Sequence, residues 1–132
     1  MTVGVSTTNV ANKWLDVIRT GGASFTAITT AYVSLHTADP GSAGATGLSA
    51  GDGTRKSVSH GTVSGGSMAI SGTAGPWTNG GSSETITHVG VWDASSGGNF
   101  LYSAALSAGQ AWASGNTFTL NGLTVSISPL AA

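Results

Sequence analysis

The 132-residue sequence predicts a mainly β fold: an antiparallel β-sandwich of jelly-roll type, with about seven strands and one N-terminal α-helix. Short segments in which apolar and polar residues alternate recur along most of the chain, and turn-forming residues separate them. A helical spacing of apolar residues occurs only near the N-terminus. We therefore predict an N-terminal arm and helix over residues 1–20 and a β-sandwich domain over residues 21–132.

The helix is predicted over residues 8–20. Thr8 or Asn9 can cap its first turn, and the glycine pair at 21–22 ends it. We expect residues 1–7 to have no structure of their own, and arms of this kind become ordered on contact with a partner. The apolar stripe of the helix consists of Val10, Trp14, Leu15, Val17 and Ile18.

The strands follow in order, each bounded by turn residues. Their predicted ranges are Ala31–Thr37, Lys56–Val63, Ser67–Thr73, Glu84–Asp93, Asn99–Leu106, Gly115–Leu120 and Leu123–Ser128. The fourth of these is partly apolar on both faces, which is typical of a central strand. Its faces carry Ile86, His88 and Trp92 on one side and Val89 and Val91 on the other.

Three interruptions between the strands complete this prediction. Residues 38–54 are rich in glycine and poor in large side chains, which predicts a long surface loop, and loops of this length are usually functional or mobile. The Gly-Pro-Trp sequence at 75–77 predicts a break. The Asn-Gly pair at 121–122 predicts a tight hairpin between the last two strands.

The composition excludes several classes of function. Only 7% of the residues are charged and the net charge is −1, which is too little positive charge for a protein that neutralises nucleic-acid phosphates. The absence of cysteine excludes disulfides, thiolate catalysis and cysteine-ligated metals. No apolar stretch has the length of a membrane span, and the N-terminus does not resemble a secretory signal. We expect synthesis in a cytoplasm, without membrane insertion or nucleic-acid binding.

Side chains that could carry catalysis are few and scattered. His36, His60 and His88 each lie alone within a predicted strand, and their spacing matches no metal-binding motif. Glycoside hydrolysis needs two facing carboxylates, and only Glu84 lacks an evident local role. The sequence contains no nucleophile elbow and no phosphate-binding loop. We expect no enzymatic activity, no cofactor and no metal, and the roles of the three histidines stay open.

The aromatic residues raise an alternative, a lectin-like module that binds carbohydrate. Trp14 lies on the helix stripe and Trp92 lies in the predicted central strand, so packing in the fold accounts for both. Trp77 and Trp112 are flanked by turn residues, and we predict that both are exposed. They are therefore the candidate stacking platform for a sugar ring.

Two motifs resemble a known family. The sequence AYVSLHTADPG at 31–41 and the sequence THVGVWDA at 87–94, followed by GGNFLYS at 97–103, resemble small virion structural proteins of tailed bacteriophages, especially those that infect actinobacteria. Members are described as tail-fibre-like or minor tail proteins. The resemblance extends from about Lys13 to Ile127. This chain departs from the family pattern at residues 54–56, where Thr-Arg-Lys replaces the usual start of a strand.

The resemblance implies a virion protein without catalysis, assembled in the host cytoplasm. It implies a homo-oligomer, most often a trimer, bound to other phage proteins of the tail or to the major capsid protein. Residues 1–20 would then anchor the domain, either at the tail or as a decoration of the capsid. The anchor contacts would come from Val10, Trp14, Leu15 and Ile18, and a glycan of the host surface is a further possible partner.

Overall fold

Two antiparallel β-sheets and an N-terminal helix form the part of the chain that the computed structural model describes, residues 3–24 and 26–128. A π-helical turn, Thr7–Ala11, continues into the α-helix α1, Asn12–Ile18. The strands are β1 (Ala31–His36), β2 (Lys56–His60), β3 (Ser67–Ser71), β4 (Ala74–Thr78), β5 (Glu84–Trp92), β6 (Phe100–Trp112), β7 (Thr117–Leu120) and β8 (Thr124–Ser126). The predicted class, mainly β and antiparallel with an N-terminal helix, is confirmed.

The larger sheet has the strand order β6-β5-β1-β2-β3-β8, and the smaller sheet pairs β4 with β7. The centre of the core lies where β1 meets β5, because Val33 is opposite Val91 and Leu35 is opposite Val89. All four side chains are fully buried. Alternation along β1 places Val33 and Leu35 on the same face of the strand.

Ile86 of β5 is fully buried together with Val89 and Val91, and all three belong to the hydrophobic core. The pairing of β5 with β6 is irregular beside Ile86, because Ile86 is opposite Gln110 whereas His88, two residues further on, is opposite Ala105. Strand β6 therefore bulges at this point, with more residues between the two pairs than β5 has.

Strand β4 occupies the segment where the sequence predicts a break. Gly and Pro are rare within strands, and this segment contains both, joined by a cis peptide bond between Gly75 and Pro76. The strand pairs only with β7, so Pro76 can lie in it without leaving a central ladder unpaired. The register is irregular between Ala74 and Trp77, and both of these side chains are fully buried.

The hairpin predicted at Asn121 and Gly122 is also wrong. Strand β7 pairs with β4, and β8 pairs with β3, so the two residues connect strands of different sheets. A type I′ turn needs positive φ angles at both central residues, and neither residue has one. The Asn-Gly pair therefore allows the chain to cross from the smaller sheet to the larger one.

The glycine-rich loop at 38–54 covers the outer face of β1. The Thr37 N–H donates a hydrogen bond of 2.7 Å to the Gly47 carbonyl, and the Ser49 N–H donates one of 2.9 Å to the Leu35 carbonyl. The loop is thus attached to the strand that precedes it. As a result β1 is buried on both faces, by the core on one side and by the loop on the other.

Candidate functional site

The N-terminal segment is held along the start of β6. The Ser6 N–H donates to the Leu101 carbonyl at 2.6 Å, and the Ser103 N–H donates to the Gly4 carbonyl at 2.9 Å. The Asn9 side-chain amide donates to the Phe100 carbonyl at 3.0 Å. The prediction that residues 1–7 lack structure is therefore wrong for residues 3–7, and residues 1–2 lie outside the described residues.

The cap of the helical segment differs from the prediction. Ser6 provides the cap, since its hydroxyl accepts a hydrogen bond of 3.2 Å from the Asn9 N–H. The segment begins with a π-helical turn, and α1 ends at Ile18, just before the glycine pair that the sequence identifies as its end. The helix is thus close to its predicted position and shorter than the predicted range of 8–20.

The apolar residues of α1 form an exposed surface. The exposed fractions are 38% for Trp14, 63% for Leu15, 52% for Val17 and 80% for Ile18. No residue of α1 is buried. Val10, another predicted anchor contact, lies on the preceding turn and is 6% exposed within the core, so it offers little surface to a partner. The other three predicted contacts, Trp14, Leu15 and Ile18, are accessible.

The polar face of α1 is joined to the chain that follows it. The Asp16 carboxylate accepts a hydrogen bond of 3.0 Å from the Ala23 N–H and one of 2.6 Å from the Arg19 Nε. The Ala23 N–H and then Arg19 lower the pKa of Asp16. These contacts hold the turn that follows the helix against Asp16.

The tryptophans predicted to be exposed are buried. Trp77 is fully buried, and its indole N–H donates to the Thr54 carbonyl at 2.9 Å. Trp112 is 2% exposed, and its indole N–H donates to the Asn116 carbonyl at 2.9 Å. Both rings contact Phe118 edge to face. Turn residues flank each tryptophan in the sequence, but both side chains are buried, so neither ring can stack on a sugar.

The three histidines serve three different local networks. His36 is fully buried, its Nδ1 lies 2.7 Å from the Thr46 carbonyl, and burial lowers its pKa. The His60 Nε2 lies 2.7 Å from the Tyr102 hydroxyl, and burial lowers the His60 pKa as well. His88 is opposite His36 in the ladder between β1 and β5, and its Nδ1 contacts the Thr87 hydroxyl.

A serine and a histidine lie close together on the outer face of β1. The Ser34 Oγ is 2.8 Å from the His36 Nε2, and it accepts a hydrogen bond of 3.0 Å from the Trp92 indole N–H. Because the Thr46 carbonyl can only accept, the neutral His36 ring carries its proton on Nδ1, and its Nε2 accepts from the Ser34 hydroxyl, whose other, longer contact is to the Gly90 carbonyl at 3.3 Å. Ser34 is only 1% exposed, so its hydroxyl oxygen cannot reach a substrate.

Glu84, the acid without an evident role in the sequence, holds the glycine-rich loop. Its carboxylate accepts hydrogen bonds from the Ser49 hydroxyl and from the backbone N–H groups of Ala50 and Gly51. These three donors join the end of the loop to the start of β5. Glu84 therefore has a structural role, which only the three-dimensional contact between loop and strand reveals.

Within residues 3–24 and 26–128, His, Asp and Glu side chains nowhere gather in a group of three that could hold a metal ion. The helices of this part of the chain are too short or too polar to cross a membrane. The features that remain as candidate sites are the apolar surface of α1 and the cavity beside Arg55 and Trp92.

The sequence matches a known protein family. A model of a protein family described as Gp80, Podophage GP4 fiber I protein gp80, matches residues 4–128. The match includes the N-terminal segment, α1 and all eight strands. No curated protein matches the sequence.

Proposed function

The chain belongs to this family of podophage fibre proteins, and we propose that it is a tail-fibre-like component on the outside of the phage particle, attached through its N-terminal segment. Membership of a fibre family favours the tail over the capsid shell as the place of attachment. Assembly would take place in the host cytoplasm, before the particle is released. An actinobacterial host remains a prediction from the resemblance of short motifs.

The exposed apolar surface of α1 is the observation that supports attachment. Leu15 and Ile18 are 63% and 80% exposed on a helix whose preceding turn is fixed to β6. An isolated exposed leucine needs no explanation, whereas a row of four large apolar residues on one short helix is typical of a contact surface. We infer that another virion protein covers this surface with an apolar groove of its own.

The experiment compares two charged variants in assembled particles. Leu15→Lys combined with Ile18→Lys places two charges on the proposed contact, and lysine is a good helix former, so the helix itself is preserved. The matched control is Val63→Lys, because Val63 is 69% exposed and lies between β2 and β3. Quantitative mass spectrometry of purified virions measures the copy number of each variant.

We expect the double variant to be missing from particles and the control to be incorporated normally. Circular dichroism and the thermal midpoint of each purified protein establish that the fold is intact. Full occupancy by a folded double variant would refute attachment through α1.

We further propose that the protein is a homotrimer. The family resemblance implies a trimer, most soluble oligomers are symmetric assemblies of identical chains, and a domain with few charged residues can pack closely against copies of itself without burying unpaired charge. Light scattering on the pure protein at micromolar concentration tests this, and a monomer alone would contradict an intrinsic trimer.

The proposed role involves no catalysis. The closest approach to a catalytic arrangement is the Ser34–His36 pair, and loop 38–54 encloses it. The alternative function, a carbohydrate-binding module, loses its predicted platform because Trp77 and Trp112 are buried. A sugar site would have to lie elsewhere on the surface.

A further inference from the structure

A cavity of about 380 Å³ opens between the glycine-rich loop and the turn that follows β5. Its volume lies in the range of small-molecule sites, about 300–1,000 Å³. Six residues define its chemistry: Ser34, Leu48, Arg55, Trp92, Ser95 and Ser96. They come from β1, the loop, the residue before β2, the end of β5 and the turn that follows it, so the cavity exists only in the folded chain.

Arg55 is held in a fixed position at this cavity. Its guanidinium carbon lies 3.5 Å from the centre of the Trp92 ring, a cation–π contact. Its Nη1 donates to the Ala94 carbonyl at 3.0 Å and to the Gly97 carbonyl at 2.6 Å. A guanidinium has five N–H donors, so the two hydrogen bonds of Nη1 leave the three donors of Nε and Nη2.

The three donors of Arg55 on Nε and Nη2 make no hydrogen bond within residues 3–24 and 26–128. The Asp93 carboxylate, whose charge partly offsets the lowering of the Arg55 pKa by burial, makes its two side-chain hydrogen bonds with Asn99, both at 2.7 Å. An arginine edge formed by Nε and Nη2 matches the two oxygens of a carboxylate. A carboxylate is therefore the group that this edge is suited to bind.

The floor of the cavity is rigid before any ligand arrives. The Trp92 indole N–H is bound to Ser34, and the edge of the Trp92 ring meets Phe100, with 5.3 Å between the ring centroids. At Gly44 a Cβ atom would lie 2.4 Å from Phe100 and 2.8 Å from Trp92, and the φ angle of +72° also favours glycine. The loop can approach the rings this closely only because residue 44 lacks a side chain.

We propose that this cavity binds a carboxylate-bearing saccharide, such as a uronic-acid residue of a surface polysaccharide. The edge of Arg55 receives the carboxylate, and the hydroxyls of Ser95 and Ser96 bind sugar hydroxyls. Leu48, which is 49% exposed, contacts the C–H groups of the ring. This inference is independent of attachment through α1, since the cavity and the helix share no residue.

The experiment is a titration of ¹⁵N-labelled protein with sodium glucuronate, glucose and sodium acetate, followed through the indole N–H signal of Trp92. Glucuronate has both the carboxylate and the ring, glucose lacks the carboxylate, and acetate lacks the ring. We expect saturable binding of glucuronate, with glucose and acetate each weaker by about tenfold or more, the usual effect of losing one charge-assisted contact or one set of neutral contacts.

Two variants test the residues. Leu48→Glu leaves Arg55 in place and puts a negative charge at the mouth of the cavity, so glucuronate binding should weaken by about tenfold or more. Arg55→Lys removes the planar edge and should have a similar effect. Val63→Glu is the matched control, with the same added charge on a distant exposed valine, and its affinity should equal that of the original protein.

Three results would overturn the proposal. The first is that the protein does not bind glucuronate, and the second is that Leu48→Glu and Arg55→Lys bind glucuronate as tightly as the original protein does. The third is that the protein binds acetate as tightly as glucuronate. The last result would identify the cavity as a site for an acidic side chain of a partner protein. These titrations measure ligand binding and not incorporation into virions, so none of these results contradicts the proposed attachment through α1.

Discussion

The helix α1 and the middle of the larger sheet carry similar apolar side chains and differ completely in exposure. Val33 and Leu35 of β1 are fully buried, whereas Leu15 and Ile18 of α1 are mostly exposed. Strand β1 is covered by the core on one face and by loop 38–54 on the other. The stability of the free chain therefore resides in the sheets, and the apolar surface of α1 remains available to another molecule.

The same comparison explains where polar groups are placed. Between β1 and the loop, Ser34, His36 and Trp92 form a chain of hydrogen bonds in which every polar atom has a partner. A buried polar group without a partner would cost about 1–3 kcal/mol. On α1, Asp16 and Arg19 pair in water, where such a pair contributes little. The hydrogen bonds between β1 and the loop therefore fix one arrangement of side chains, whereas the side chains on the surface of α1 can adapt to a partner.

The largest expected effect is at Trp77. Replacing this fully buried ring by alanine removes its packing against Phe118 and its hydrogen bond to Thr54. We expect Trp77→Ala to lower the free energy of unfolding by about 3–5 kcal/mol, as large-to-small changes in a core do. Urea unfolding followed by circular dichroism measures this. A loss below about 1 kcal/mol would mean that Trp77 is accessible, as the sequence suggests.

The sequence predicts the regular parts of this fold and fails where the chain is irregular. Strands β1 and β5 follow simple alternation and their positions are predicted within a residue or two. Strand β4 contains Gly75 and Pro76, which local preferences assign to a turn, and only its pairing with β7 makes it a strand. The partner of a strand lies far away in sequence, so local patterns cannot reveal it.

The candidate sites show the same division. The exposed residues of α1 can be found by their spacing, because an amphipathic helix is a local pattern. The cavity cannot be found from a local pattern, because the pairing of β1 with both β2 and β5 is what brings Arg55 and Trp92 together. The one available signal is the glycine content of loop 38–54, which indicates a close approach of backbone to other groups.

An effect of intermediate size is expected on lowering the pH. Burial lowers the pKa of His36 below its ordinary value of 6.5, and it also lowers the pKa of His60. The unfolded chain then binds protons at a higher pH than the folded chain, so the stability is complete above about pH 6.5 and falls as the pH drops below it. Arg55 and His88 add to the shift at His36, because each disfavours a second positive charge nearby.

Urea unfolding at pH 7.5 and at pH 5 measures this dependence. We expect the free energy of unfolding to be smaller at pH 5. In His36→Gln the overall stability should fall, because hydrogen bonds to Ser34 and Thr46 are altered, and the difference between the two pH values should shrink. An equal pH dependence in the variant would assign the effect to other groups, and the buried His36 would then have an ordinary pKa.

The smallest effect is expected on the helix itself. Leu15→Ala combined with Ile18→Ala removes two exposed side chains and keeps a strong helix former at both positions. In the free protein the free energy of unfolding should change by no more than about 0.5 kcal/mol, because surface changes away from packed contacts rarely do more. The same urea titration as for Trp77→Ala measures it. A loss well above this, growing with protein concentration, would show that a second copy of the chain already covers α1 in solution, and the contrast between helix and sheet would then hold only for the isolated monomer.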